Sequence, residues 1–338
     1  MKKFLSVILC AALAAVSFTG CAGQASASSQ AAPSEASASA APASSKTYKV
    51  AIVQLVDNDA FTQMIQAFED KMRSLGYRED KMTFDVKNAQ GDMSTLNSIC
   101  AKVKSSDYDL VVPIVTPAAQ AVVSQSPKAP VVFISVTDPV GAGILSDMKK
   151  PDKNATGTSN IIPVDKIFTL AKKLTPSVKK VGILYCSGEK NAVLNAKKAS
   201  DYLTKNGYGV TESTVTNSSE VQQAAQVLAG KVDAIFVPTD STVQSAMPQL
   251  VEAANGKKIP VYGSDPVMVK SGALACVSVS NKQLGERSAE MADEILKGKQ
   301  PADVPAEALT DYQYVVSKKA AQTLGITLPT DGSVQAIG

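Results

Sequence analysis

The chain has 338 residues, 45% of them apolar, and its folded part, about residues 46–330, is long enough for two domains. Without residues 1–20, which hold two lysines and no acid, there are 32 basic and 31 acidic side chains, and such a nearly neutral chain is not expected to bind nucleic acid. Histidine is absent, which excludes imidazole-based catalysis and histidine metal sites; because neither standard glycine-rich phosphate loop occurs, the composition favours binding over catalysis and predicts no cofactor.

The N-terminal region predicts a signal peptide followed by a tether. Two lysines precede an apolar run over residues 4–18 that is too short for a stable membrane anchor, which is typical of a secretory signal. The next residues, Phe18-Thr19-Gly20-Cys21, resemble the lipobox of bacterial lipoproteins, which implies cleavage before Cys21 and its acylation. Phe18 and Thr19 depart from the commonest lipobox residues, so cleavage elsewhere by ordinary signal peptidase stays open. Residues 22–45 are built from small polar residues with one charge and predict a flexible tether.

From Tyr48 onward, apolar β-branched runs alternate with longer segments of helical period. This alternation predicts parallel sheets with helices on both faces. The expected strands are 49–56, 82–86, 110–115, 131–135, 181–185, 209–215, 234–237, 260–262 and 274–279. Residues 281–297 predict a helix that ends at Lys-Gly-Lys.

The second half of the chain repeats the pattern of the first. SLGYREDKMTFDV is matched by KNGYGVTESTVTN, DLVVPIVTPAAQAV by DAIFVPTDSTVQSA, and APVVFISVTDPVGAG by IPVYGSDPVMVKSG, at offsets of 125 to 131 residues. Near-constant offsets predict duplicate domains. Because ligands of open parallel sheets bind outside the carboxyl ends of the strands, the loops that follow the strands of both domains are expected to face one cleft.

Three cysteines remain after the signal and Cys21, and they cannot all form disulfides with one another. No C-x-x-C pair occurs, so neither a zinc site nor a redox motif is expected. Cys100 and Cys276 are expected in the core. Cys186 follows a strand, and both core and cleft positions stay open for it.

From residue 49 to about 329 the chain resembles the ABC-transporter substrate-binding protein family that includes tryptophan- and tyrosine-binding lipoproteins. The stretches that carry the resemblance are NAQGDMSTL, TPAAQA, VVFISVTDPVGAG, ATGTSN, GKVDAIFVPTD and KSGALA. One departure is residues 56–59, where family members often carry Glu-His. The resemblance implies the α/β fold of type I periplasmic binding proteins: two doubly wound parallel-sheet domains joined by a multi-strand hinge.

The same resemblance implies domain boundaries and a function. The first lobe would comprise residues 46–161 plus 281–305, and the second residues 162–280 plus 306–338, with hinge crossings near 159–163 and 279–282. The protein would be an extracytoplasmic lipoprotein that binds a small zwitterion, most specifically an aromatic amino acid, and delivers it to an ABC permease. Its other partner would be the membrane, through the lipid anchor alone.

The candidate ligand-binding residues follow strands or open helices in both halves. They are Asp57, Asn58, Gln90, Thr116, Pro117, Ala118, Thr137, Asp138, Ser187, Glu189, Asn191, Thr239, Asp240, Ser241, Thr242, Ser264 and Asp265. The three arginines, Arg73, Arg78 and Arg287, are predicted on helices or just after one, so a ligand carboxylate is expected at helix N-termini and hydroxyl groups. A ligand ammonium group needs a buried acid, and Asp138 is favoured over Asp240 and Asp265.

Each candidate also has a purely structural interpretation. The threonine and serine side chains could only cap helices, and Asp138-Pro139 and Asp265-Pro266 are good turn sequences. Phe61, Tyr185 and Tyr262 could offer a stacking surface, although aromatic residues near strand ends more often belong to the core. Alternative functions are the binding of a nucleoside or sugar, or a surface adhesin or sensor on the same fold. The absence of tryptophan disfavours a sugar.

Overall fold

The computed structural model describes residues 46–338, so the predicted signal peptide, Cys21 and the tether lie outside the described residues. The strands are β1 (Tyr48–Gln54), β2 (Met82–Asn88), β3 (Leu110–Pro113), β4 (Val131–Val136), β5 (Ala155–Ser159), β6 (Lys180–Cys186), β7 (Gly209–Val215), β8 (Ala234–Phe236), β9 (Val261–Gly263), β10 (Ala275–Ser278), β11 (Glu307–Ala308), β12 (Gln313–Ser317) and β13 (Gln335–Ile337). The helices are α1 (Asp59–Ser74), α2 (Met93–Ser105), α3 (Val115–Ser124), α4 (Val164–Leu174), α5 (Lys190–Lys205), α6 (Val221–Ala229), α7 (Ser241–Ser245), α8 (Met247–Asn255), α9 (Pro266–Lys270), α10 (Asn281–Leu296) and α11 (Lys318–Leu324).

The strands form two sheets, each the centre of one lobe. The six-stranded sheet has the order β11-β5-β4-β3-β1-β2, and the seven-stranded sheet has the order β13-β12-β10-β9-β8-β6-β7. All pairs of the first sheet are parallel, and in the second β12 runs antiparallel to β10. Within the two sheets, β5-β4-β3-β1-β2 and β10-β9-β8-β6-β7 follow the same order, which confirms the duplication predicted from the repeated sequence.

The central strands are buried because helices cover both faces of each sheet. Residues 50–53 of β1 and all of β3 and β4 are buried, as expected for apolar β-branched runs inside a parallel sheet. The edge strands β2 and β7 carry more polar, partly exposed residues. Cys100 and Cys276 lie in the core as predicted, and Cys186 is buried with them.

The structure adds four strands to the prediction: β5, β11, β12 and β13. The sequence of β5, ATGTS, looks too polar for a central strand, yet all five residues are buried. The hydroxyl of Thr156 donates to the carbonyl of Val304 at 2.6 Å, and that of Thr158 pairs with the Ser288 hydroxyl at 2.9 Å. Because these hydroxyls have partners, their burial carries little cost.

Within residues 46–338 the chain passes between the lobes three times, after β5, after β10 and after β11. The second passage returns the chain to the first lobe, where α10 packs along α1. A Cβ atom at Gly285 of α10 would overlap the backbone oxygen of Met64, so only glycine permits this approach. Strand β11 pairs with β5, which extends the first lobe beyond the boundary expected at residue 305.

Candidate functional site in the cleft between the lobes

The carboxyl ends of the strands in both sheets face the junction between the lobes. Helices α1 and α9 meet there, and Val267 of α9 packs into the apolar core of the first lobe. On the other side α3 approaches α5, where the Lys198 ammonium lies 3.8 Å from the Asp138 carboxylate across the cleft. The loops that were expected to face one cleft therefore do so.

Unpartnered polar atoms are concentrated at this junction. Eight buried side-chain atoms have no hydrogen-bond partner within the described part of the chain. Six belong to strand ends or to the beginnings of the helices that follow, and two lie inside α5 and α7. They are Gln54 Oε1, Asn58 Nδ2, Thr137 Oγ1, Asn191 Oδ1, Asn195 Nδ2, Gln244 Nε2, Ser278 Oγ and Asn281 Oδ1. Buried polar groups are normally paired, so their grouping here indicates a site that a polar ligand would complete.

The N-terminus of α3 can hold an anion. This helix begins at Ile114 without a side-chain cap, whereas α1, α7 and α9 are capped by Asn58, Asp240 and Asp265. Its first-turn N–H groups are therefore available to a ligand. Val115 has a φ of 58°, which is strained for a β-branched residue and is often found at functional sites.

Two threonine hydroxyls lie beside this helix start. Thr116 and Thr137 are 1% and 3% exposed, and the Thr137 backbone N–H donates to the Thr116 hydroxyl oxygen at 3.4 Å. The Thr137 hydroxyl itself is unpartnered. Pro117 has no N–H to offer, so the free N–H groups of this first turn are those of Val115 and Thr116. The predicted residues Thr116 and Thr137 are thus brought together as donors suited to a carboxylate, with Pro117 and Ala118 beside them in the first turn.

Asp138, the favoured counter-charge, has other partners. It is half-exposed, its carboxylate accepts a hydrogen bond from the Gly141 N–H at 2.8 Å, and it faces the Lys198 ammonium. The bond to Gly141, three residues on, closes the turn that begins at Asp138, so the structural interpretation of Asp138-Pro139 accounts for this side chain. A solvated carboxylate near a lysine is a weaker partner for a ligand ammonium than a buried, unpaired one.

Glu189 and Asp240 form a buried pair of acids in the second lobe. Asp240 accepts hydrogen bonds from the N–H groups of Cys186 and Val243. Glu189 accepts from the N–H groups of Ser241 and Thr242, at 3.0 and 2.8 Å, and from the Thr242 hydroxyl at 2.8 Å. Burial and the nearby Glu189 carboxylate raise the pKa of Asp240 well above its usual value.

These bonds occupy both oxygens of each acid, so the pair fixes the cleft loops of the second lobe. The amide of Asn191 extends this network by donating to the carbonyl of Thr239 at 2.8 Å. The predicted residues Glu189, Asn191, Thr239, Asp240, Ser241 and Thr242 therefore lie together, chiefly as a support. The Cys186 side chain is part of the second-lobe core beneath them, which decides between the two positions left open for it.

Asp265 is the acid that keeps an unshared oxygen. Its side chain is buried at the start of α9, where one oxygen accepts from the Val267 N–H at 2.7 Å and from the Asn281 amide at 3.5 Å. No side chain or backbone group among residues 46–338 donates to the other oxygen. Burial raises the pKa of Asp265 to about 6, although the bonds from Val267 and Asn281 oppose that rise.

The remaining predicted residues contribute less. Asp57, Gln90 and Ser187 are exposed, and the Ser187 hydroxyl donates to the carbonyl of Val215 at the end of β7. The Ser264 hydroxyl is buried 3.5 Å from the Thr239 hydroxyl. Asn58 caps α1 through its side-chain oxygen and leaves its nitrogen unpartnered.

The aromatic and arginine side chains named from the sequence lie outside the cleft. Phe61, Tyr185 and Tyr262 belong to the cores of the lobes. The Tyr185 hydroxyl donates to Glu212, and the Tyr262 hydroxyl pairs with Thr175. Arg73 and Arg287 form ion pairs with acids of the first lobe, at the surface of their helices.

Sequence reasoning missed several residues of the site, among them Gln54, Gln63, Asn195, Gln244, Ser278 and Asn281. Gln54 and Ser278 end strands, and Asn281 begins a helix. The expectation that ligands bind at the carboxyl ends of strands could therefore have found them. The others lie inside helices, where no pattern marks a polar residue as facing a cleft. A surface groove of about 550 Å³ beside Phe168 and Tyr202 lies at the amino ends of β6 and β7, opposite the cleft.

Comparison with known proteins places the chain in a family. The sequence profile of the family described as ABC transporter substrate binding protein matches residues 49–337. The chain belongs to this family. Its members act outside the cytoplasm, and they are binding proteins rather than catalysts. No helix among residues 46–338 combines the length and apolar character that crossing a bilayer requires.

Relatives of this substrate-binding protein are similar over most of their length. The tyrosine-binding protein of Clostridioides difficile (strain R20291) is 37% identical over 324 residues, which cover 96% of this chain and 92% of that protein. A crystal structure from Streptococcus pneumonia, an ABC domain in complex with L-Trp, is 34% identical, with 86% of this chain and 99% of that chain covered and a TM-score of 0.83.

A third relative allows a comparison of lobe arrangement. The ligand-free, open structure of a substrate-binding protein with adhesive properties from Clostridium difficile is also 34% identical and covers the same 86% of this chain and 99% of its own, but its TM-score is 0.66. At equal identity and coverage, the structure of the present chain thus superposes better on the L-Trp complex than on the open form. That agrees with the contacts between the lobes described above.

Proposed function

We propose that this substrate-binding protein captures an aromatic amino acid in the cleft between its lobes and delivers it to an ABC permease. The observation that carries the proposal is a pair of sites in that cleft, one suited to an anion and one to a cation. The uncapped start of α3 offers donors for a carboxylate, and the buried Asp265 offers an unshared oxygen to an ammonium group. A free amino acid carries both groups on one carbon atom.

The carboxylate would bind to the N–H groups of the first turn of α3 and to the hydroxyls of Thr116 and Thr137. The ammonium would pair with Asp265, which takes the role expected of Asp138. Desolvation makes this pairing strong, because an unpaired charge in a buried site is costly. The other predicted residues of the second lobe would hold the loops in place.

The choice of an aromatic side chain is supported by the relatives, one named for tyrosine and one crystallised with L-Trp. A sugar or nucleoside would not need the opposed charges of α3 and Asp265. Catalysis is not part of the proposal, because the paired acids Glu189 and Asp240 are bound to backbone N–H groups rather than presented to a substrate.

Calorimetric titration with L-tryptophan, L-tyrosine and L-phenylalanine tests this function. At least one of them is expected to bind with a dissociation constant in the micromolar range or below. Small-angle scattering should show a smaller radius of gyration in protein freed of ligand once that amino acid is added, because the lobes close on it. Failure of all three amino acids to bind would contradict the proposal, and mass spectrometry of ligand carried through purification would then identify the actual solute.

We also propose that acylated Cys21 anchors the protein to the outer face of the membrane. The basis is the lipobox-like Phe18-Thr19-Gly20-Cys21 ahead of a stretch of small residues with a single charge. The variant Cys21→Ser is expected to release the protein into the medium with ligand affinity unchanged, because the change lies outside the folded lobes. Fractionation followed by immunoblotting measures the release, and membrane-bound Cys21→Ser protein would contradict the anchor.

A further inference from the structure

Asn281 lies where the lobes meet, and its amide group bridges them. It is the first residue of α10 and is 3% exposed. Its amide nitrogen donates to Asp265 of the second lobe at 3.5 Å and to the side-chain oxygen of Gln63, on α1 of the first lobe, at 3.3 Å. An amide nitrogen has two hydrogens, so both are used.

These two acceptors fix the orientation of the Asn281 amide. A rotation of the group by half a turn would place its oxygen against the Asp265 carboxylate, where two acceptors would repel each other. The oxygen therefore points away from Asp265 and Gln63. It is buried, and it has no hydrogen-bond donor in the described part of the chain.

The open oxygen of Asn281 and the open oxygen of Asp265 belong to two side chains that already contact each other, and such a pair of acceptors matches the chemistry of an ammonium group. A primary ammonium has three N–H donors, so it can bind Asp265 and Asn281 together. Those residues belong to different lobes, so the bound ammonium would connect the lobes directly. A hydroxyl group has one donor and no charge, and a carbonyl group has no donor, so neither can satisfy both residues.

We propose that Asn281 makes the cleft selective for ligands with a primary ammonium group, and that Gln63 is the positioning residue that keeps the Asn281 oxygen available. This inference rests on the proposed function and specifies which part of the ligand is recognised at the hinge. It predicts that 2-hydroxy acids with the same aromatic side chain bind about a thousandfold more weakly than the amino acids, because they leave buried groups unpaired.

The test compares affinities for matched ligands in matched variants. L-tyrosine and L-tryptophan are titrated against their 2-hydroxy acid counterparts, 4-hydroxyphenyllactate and indole-3-lactate. The variants are Asn281→Ala, Gln63→Ala and, as a control on the same helix, Gln66→Ala. Gln66 donates to Asp70 at the exposed face of α1, away from the hinge.

In Asn281→Ala, the affinity for the amino acid is expected to fall by about a hundredfold. The preference for the amino acid over the hydroxy acid is expected to become smaller. Gln63→Ala should weaken amino-acid binding about tenfold and also narrow the preference for the amino acid over the hydroxy acid, because one of the two acceptors that hold the Asn281 amide is then lost. Gln66→Ala should match the unmodified protein in both measurements.

Gln63 is half-buried in the middle of α1, so Gln63→Ala is expected to fold. It therefore tests the proposed selectivity even if Asn281→Ala does not fold. An unchanged preference in Gln63→Ala would overturn the positioning role, and an unchanged preference in folded Asn281→Ala would overturn the selectivity. If the unmodified protein binds the hydroxy acids as tightly as the amino acids, the inference fails while the proposed function stands. If it binds none of these ligands, both fail.

Discussion

Asp265→Asn is expected to weaken amino-acid binding at least thirtyfold and at the same time to make the ligand-free protein more stable. Removal of one partner of a buried charged pair costs about 2 to 5 kcal/mol in affinity. Asparagine keeps the size of the side chain and can still accept the hydrogen bond from Val267 that caps α9. The loss of affinity in Asp265→Asn would therefore come from removal of the negative charge.

The gain in stability follows from the raised pKa of Asp265. Burial raises this pKa to about 6, above the usual value of 3.8, so between pH 4 and 6 the folded protein binds a proton that the unfolded chain releases. Stability from this group is therefore lost as the pH rises through that range, and at pH 7 the ionised carboxylate opposes folding. Its replacement by asparagine should raise the free energy of unfolding at pH 7 by about 2 kcal/mol.

The same ionisation gives the binding a pH dependence. Below pH 6 the ligand must displace a proton from Asp265, so affinity should fall about tenfold for each further pH unit. Lys270 on α9 lowers the pKa of Asp265, and the Cys276 thiol on β10 and the Asn281 amide are its other neighbours. Asp265→Asn should abolish this dependence.

Asp138→Asn is the matched control for Asp265→Asn. Asp138 is half-exposed and paired with Lys198, so its variant should bind within about threefold of the unmodified protein. Calorimetric titration gives the affinities, and urea unfolding gives the stabilities. A large loss of affinity in Asp138→Asn, with Asp265→Asn unaffected, would return the counter-charge to Asp138 and refute the assignment made here.

Gly285→Val is expected to lower the free energy of unfolding by about 3 kcal/mol or more. Gly285 faces the backbone of α1, where even a Cβ atom would overlap the Met64 carbonyl oxygen and lie 2.9 Å from the Cβ of Ala67. Neither backbone can yield without separating α1 from α10, and overpacking of a close contact is costly. Urea unfolding followed by circular dichroism measures the loss.

Gly230→Ala is the control for this prediction. Gly230 ends α6 with a φ of −78°, which any residue can adopt, and a Cβ atom there would be 3.6 Å from its nearest neighbour, the Val227 carbonyl oxygen. Its variant should be as stable as the unmodified protein or slightly more so. Equal stability of Gly285→Val and Gly230→Ala would show that the approach of α1 and α10 is not close enough to require glycine.

Much of this fold could be predicted from the sequence because the apolar runs indicate buried strands and because the same pattern occurs twice. Apolar runs such as residues 110–113 and 131–136 can only be buried, and the duplicated pattern indicated two similar lobes. Strand β5 escaped prediction because its burial depends on Val304 and Ser288, which are distant in sequence and supply partners to its hydroxyls. The two residues of β11 carry no periodic pattern at all.

The site was predicted less completely, for a related reason. The expectation that ligands bind at the carboxyl ends of parallel strands selected the loops that face the cleft. It found Thr116, Thr137 and Asp265. It could not rank Asp265 above Asp138, since both precede proline in matching turns, and their difference lies in burial. Gln63 was not predictable, because its role depends on the distance between α1 and α10.

The return of α10 to the first lobe constrains the order in which the protein can fold. The apolar face of α1, with Met64 and Phe68, is completed by residues 281–296, which follow β6 to β10 of the second lobe in the chain. During synthesis that face stays uncovered for more than two hundred residues, while β6 to β10 and their helices can assemble from contiguous chain. The first lobe begins before the second but is completed only after β6 to β10 have been made, so contacts of long sequence separation should limit its folding rate and prolong its exposure to aggregation.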